Sequence, residues 1–207
     1  MDGTNLSAVE HFTYLGSIFS SDATVSKDLD NRLSKASSSF ETLLKRVWQS
    51  QSLRLSTKIQ VYRAVVVPTL LYDADMSSPS EMQTWVLHRK QIRLLERFHQ
   101  RCLRSILGTK WQDHVSNEEV LKRASLPSIE SNLLQVQLRW AGHVTRMEDV
   151  RIPKAVFFSE LQEGKRDRGA PRKRYRDQLK RQLAQAGISH QSWQQEASDR
   201  DSWCSAV

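Results

Sequence analysis

The sequence predicts a mostly α-helical fold that opens with one short β-hairpin. Three observations carry this. From Leu29 onward, apolar residues recur three, four or seven apart, the spacing of one helical face. Only 7 of the 207 residues are glycine, too few for a fold rich in tight turns. Residues 9–20 alternate apolar and polar side chains around Gly16 and include Phe12, Tyr14 and Phe19, the pattern of a strand pair.

The helices follow in order. Leu29, Leu33, Ala36, Phe40, Leu43, Leu44, Val47 and Trp48 share one face. Ser26 with Asp28 and Asp30 supplies that helix with an N-cap and first-turn acids. Ser56 opens a second helix with Ile59, Tyr62, Val66 and Leu70 on one side, and Pro68 inside it is expected to kink or split it. Residues 73–80 read as a loop.

A third helix spans about residues 81–107. Ile92, Leu95, Phe98, Cys102 and Ile106 form one stripe, and Lys90, Arg93, Arg97, Arg101 and Arg104 form the opposite one. With the apolar stripe packed inward, the basic residues point outward as a linear comb. Glu96 is the only acid between Arg89 and Arg104, whereas a solvated helix surface usually mixes both signs.

Asn117–Ala124 is a short helix that ends before Pro127. Ser128 starts a longer one with Ile129, Leu133, Val136, Trp140 and Val144 inward. It is expected to end or bend at Gly142-His143, with His143 a buried helix-end histidine rather than a catalytic one. Residues 151–163 form a short amphipathic piece. Residues 172–186 can be helical, with Leu179 and Leu183 inward, and after Gly187 a last helix capped by Ser189 ends near Trp203.

Charge points to the partner. The chain carries 31 Lys or Arg against 23 Asp or Glu, a net +8. Residues 164–181 alone hold nine basic and two acidic residues, a local +7. Such a cluster can neutralise several phosphates and release their counterions without reading bases. The candidate nucleic-acid-binding residues are therefore Arg93, Arg97, Arg101 and Arg104 on the comb, with Lys165, Arg166, Arg168, Arg172, Lys173, Arg174 and Arg176 in the run. The expected partner is the phosphate backbone of RNA or DNA. The alternatives are an acidic protein partner, or a solvated charged surface.

Several classes drop out. No apolar stretch approaches the roughly 20 residues of a membrane span, and no signal peptide opens the chain, so a nuclear or cytoplasmic setting without a membrane partner is expected. Cys102 and Cys204 lie far apart and the 6 histidines are scattered, so two free thiols and no metal or cofactor are expected. No nucleophile–base pair stands out. Tyr72-Asp73-Ala74-Asp75 looks like a scrambled polymerase box, but such boxes need adjacent aspartates to reach two metal ions, and these are separated. No catalytic residue is assigned.

Several segments, taken in order, resemble one family. They are Phe12-Thr13-Tyr14-Leu15-Gly16-Ser17, Asp30-Asn31-Arg32-Leu33, residues 58–66, residues 95–104, residues 138–147 with Trp140-Ala141-Gly142-His143, and residues 164–175. Together they are similar to the C-terminal part of reverse transcriptases of non-long-terminal-repeat retrotransposons of the endonuclease-bearing type. The resemblance implies a primer-grip-like hairpin in residues 1–25 with Tyr14, Leu15 and Gly16 toward the primer strand. It implies a thumb-like helical bundle over 26–110, a helical connector over 111–163, and a basic nucleic-acid-binding extension over 164–207. The family's catalytic aspartates precede the Tyr-Leu-Gly segment. The chain therefore reads as a truncated fragment without polymerase activity, holding template–primer or RNA, or as a relic with no selected function. One departure is local: residues 73–82 intervene before Trp85, where the family runs almost directly from Tyr-Gly through an acid to Trp.

Overall fold

A computed structural model describes residues 11–14, 17–20, 26–71, 87–158 and 175–207, with the backbone alone for 11–14, 17–20, 111, 175 and 176. The chain divides into two compact units, residues 1–81 with 87–129 and residues 130–207 with 82–86. The break at 129/130 falls inside the segment read above as a connector. Among the described residues, apart from one two-stranded ladder, the regular structure is helical.

In the first unit, β1 (His11–Tyr14) pairs antiparallel with β2 (Ser17–Ser20) in the register His11 opposite Ser20 and Tyr14 opposite Ser17. The turn residues Leu15 and Gly16 lie outside the described residues. Helix α1 (Ser26–Thr42) follows and buries Leu29, Ala36 and Phe40. It is rich in serine, a poor helix former, but the hydroxyls of Ser39 and Thr42 donate back to the carbonyls of Lys35 and Ser38. Asp28 stands in the first turn, yet it is no exposed dipole partner. Its carboxylate is buried and accepts from Arg32 Nε at 2.9 Å.

A π-helical turn, Leu44–Trp48, ends that segment and swings Trp48 back so that its Nε1 donates to the Phe40 carbonyl at 2.8 Å. Helix α2 (Leu55–Val61) runs into a second π turn (Tyr62–Val66) and then α3 (Val67–Leu71). Pro68 therefore neither splits nor stops the helix. The Val67 N–H reaches back five residues to the Tyr62 carbonyl, and this widened turn accommodates a ring that would clash with the preceding turn of a regular helix.

Helix α4 (Arg89–Leu107) packs against α1, α2 and α5. Gln91 Oε1 accepts from the His88 N–H at its start, and Gly108, at φ 68°, closes its end in the left-handed conformation that favours glycine. After a 3₁₀ turn (Trp111–Asp113), α5 (Asn117–Ala124) is capped by Ser116, whose hydroxyl accepts from the Glu119 N–H. Val66, Leu70, Leu95, Leu103, Val120 and Ile129 are fully buried, and Phe40, Trp48 and Tyr62 form an aromatic cluster beside His99.

The second unit is built on α6 (Ile129–Thr145), α7 (Ile152–Phe158), α8 (Tyr175–Gln185), α9 (Trp193–Glu196) and α10 (Arg200–Ala206). Its core gathers Leu138, Ala141, Leu179, Leu183, Trp193 and Trp203. The expected last helix is two helices, because Asp199 interrupts it and caps α10 by accepting from the Asp201 and Ser202 N–H groups.

Two expectations on α6 are corrected. The helix runs through Gly142 to Thr145 without ending there. Gly142 instead forms a slot. A Cβ at this position would overlap the Trp203 indole, whose Nε1 donates to the Leu138 carbonyl at 3.0 Å. His143, expected to be buried, is exposed, because one residue past the slot its side chain leaves the packed face.

Candidate nucleic-acid interface

Helix α4 carries its cations as a consequence of what it buries. Gln91, Leu95, Phe98, His99, Gln100, Cys102, Leu103 and Ile106 are all buried, a face wider than the five-residue stripe of the sequence. On the side left to solvent, Lys90, Arg93, Arg97 and Arg101, all four exposed, fall within a sector of about 80°. At 1.5 Å per residue they span roughly 16 Å of the axis. Two of them are steadied locally: Arg97 Nε donates to the Arg93 carbonyl at 3.3 Å, and the Arg101 guanidinium lies 5.4 Å from the centre of the Phe98 ring.

Arg104 behaves differently. It is half-buried, and its Nη2 donates to the Val115 carbonyl at 2.8 Å and to Asn117 Oδ1 at 2.9 Å. It ties the segment leading into α5 onto α4. The one acid of the helix is also engaged. Glu96 Oε2 accepts from the Ile129 N–H at 2.9 Å and Oε1 accepts from Gln100 Nε2 at 3.3 Å. Its charge is directed to a helix N-terminus, where a carboxylate is favoured, rather than to the neighbouring arginines.

Behind the comb lies a buried polar cluster. The Tyr62 hydroxyl and His99 Nδ1 are hydrogen-bonded at 2.8 Å. Burial lowers the His99 pKa to about 4, against a small opposing effect of the Pro127 carbonyl, and Nε2 has no well-formed hydrogen bond. Burial, chiefly, raises the Tyr62 hydroxyl far above its ordinary range and pushes the Cys102 thiol up to about 12. All three groups are therefore neutral near pH 7. Neither the phenol nor the thiol is ionised to act as a nucleophile.

The other proposed contacts stand as follows. Lys165, Arg166, Arg168, Arg172, Lys173 and Arg174 lie outside the described residues, as do residues 72–86 with Tyr72-Asp73-Ala74-Asp75, and Leu15 and Gly16. Tyr14 belongs to β1 and Arg176 to α8. Among the described residues, no group of three His, Cys, Asp or Glu could hold a metal ion, and no helix is long and apolar enough to cross a membrane.

One feature of the charge was missed by looking for runs. With six further acids and no base in its other residues, the first unit as a whole balances at +4, but its described residues hold 17 Lys or Arg against 7 Asp or Glu, a local +10. Those of the second unit hold 8 against 7. The excess is spread at helical intervals and so does not catch the eye as a cluster. Comparison with protein-family models, curated proteins and solved structures finds no match to this chain.

Proposed function

We propose that this chain holds nucleic acid through its phosphates, without reading sequence, as the thumb-like and C-terminal part of a reverse transcriptase of the non-long-terminal-repeat type. In this reading residues 1–25 are the primer-grip-like element with Tyr14, Leu15 and Gly16, residues 26–110 the thumb-like bundle, and the run at 164–181 a second phosphate clamp. No polymerase chemistry is assigned to the chain. The observation that carries the binding is the exposed row Lys90, Arg93, Arg97 and Arg101, with the only acid of the helix turned away from it. The family assignment rests on the ordered resemblance of the segments quoted above.

Fluorescence anisotropy with duplex, RNA–DNA hybrid and single-stranded probes over a salt series tests this. If about four cations sit on duplex phosphates, log K should fall against log salt with a slope near −3.6. Raising salt from about 50 to about 200 mM then weakens binding by roughly a hundredfold. Unrelated sequences should give the same slope, since phosphate contacts position without specifying. An acidic polypeptide that displaces the probe at equal charge concentration, as well as a duplex does, would favour a protein partner instead.

A further inference from the structure

The sequence contains several adjacent pairs of Lys or Arg, and only Lys122-Arg123 is followed two residues later by a serine or threonine, Ser125, with apolar Leu126 next. The structure puts this segment at the C-terminal end of α5 and in the loop after it. Lys122, Arg123, Ser125 and Pro127 are exposed. Ser125 stands at φ 51°, a left-handed conformation that strains residues other than glycine. The last turn is closed by the Ser125 N–H on the Lys122 carbonyl at 3.0 Å and the Leu126 N–H on the Leu121 carbonyl at 3.1 Å. Arg123 makes an exposed ion pair with Glu119, the weak kind. The buried anchor Val120 lies before this turn, and within the turn Ala124 alone is buried. Opening one strained terminal turn therefore presents residues 122–126 as an extended strip.

We infer that Ser125 is a phosphorylation site for a serine/threonine kinase that selects cations ahead of its acceptor. Lys122 and Arg123 meet acidic groups of such an enzyme and Leu126 an apolar one, the charge patterning by which kinases discriminate. In the transfer, Ser125 Oγ attacks the γ-phosphorus of MgATP. The new O–P bond forms as the bond to the bridging oxygen breaks, ADP leaves with that electron pair, and the hydroxyl proton passes to the kinase's catalytic aspartate. The product carries about −1.5 to −2 charges beside Lys122 and Arg123.

The test incubates the folded full chain with an arginine-directed serine/threonine kinase and MgATP and locates phosphate by tandem mass spectrometry. One phosphate on Ser125 is expected. Ser125→Asn, which suits the left-handed backbone and has no hydroxyl, should abolish it. Lys122→Gln with Arg123→Gln should slow it by about tenfold or more. Phosphate found only on other residues, incorporation at Ser125 only in urea-unfolded chain, or an unchanged rate in the double variant would overturn the inference. Circular dichroism of each variant checks that the helical fold is retained.

Discussion

At Gly142 helix α6 has no side chain, and the Trp203 indole occupies the space that one would fill. The indole N–H then reaches the Leu138 carbonyl, one turn back on the same helix. Gly142→Ala should cost about 2 kcal/mol or more, since overpacking outweighs the roughly 1 kcal/mol gained in helix propensity. Urea unfolding of the variant measures it. In sequence this glycine reads as a helix stop, because nothing local distinguishes a terminus from a slot whose occupant lies 61 positions downstream. His99 supplies a second test. Its folded pKa near 4 lies below the ordinary 6.5, so the unfolded chain binds more protons between those values. The contribution is present above pH 6.5, declines as pH falls through that window, and amounts to about 3 kcal/mol at most. His99→Gln should flatten the fall in urea midpoint between pH 7 and 4.5. Asp149 and Asp199, whose pKa values are lowered by their hydrogen-bond partners, act below that window.

Among the elements, α4 was the most legible. Its apolar stripe and its cations follow from a 3.6-residue period, and the structure buries Leu95, Phe98, Cys102 and Ile106 as the spacing requires. The fate of Arg104 was not legible, because its partners Val115 and Asn117 belong to a segment that meets α4 only in the folded unit. The two roles separate experimentally. Changing Arg93, Arg97 and Arg101 to Gln should flatten the salt slope of nucleic-acid binding by up to about 2.7 with little loss of stability, since about 0.9 is expected per phosphate. Arg104→Gln should instead lower stability by roughly 1–3 kcal/mol, the cost of losing two charge-assisted hydrogen bonds of a half-buried guanidinium, and leave the slope nearly unchanged. Pro68 shows the converse limit. A proline in a helical pattern announces a disturbance, but a break and a π turn carry the same sequence signal.

For the molecule as a whole, the helical class was readable from periodicity and scarce glycine, and a far-UV circular-dichroism spectrum dominated by helix is the expected outcome. The division into units was not readable, because the break at 129/130 is marked by no long linker or change of composition. Nor was the location of the charge excess. The run at 164–181 drew attention by density, while residues 26–71 and 87–129 together carry a local +10 in dispersed form. Spread over helices and the loops between them, these cations are presented outward together only while the helices stay folded.

The two cysteines divide the chain chemically. Cys204 is exposed on α10, whereas Cys102 is buried in the first unit with its thiol pushed up to about 12. Since the thiolate is the nucleophile, a maleimide dye at neutral pH should attach once, at Cys204, without any mutation. A second equivalent reacts only when the first unit opens. Dye stoichiometry counted against time thus becomes a clock for that opening, written into the native sequence.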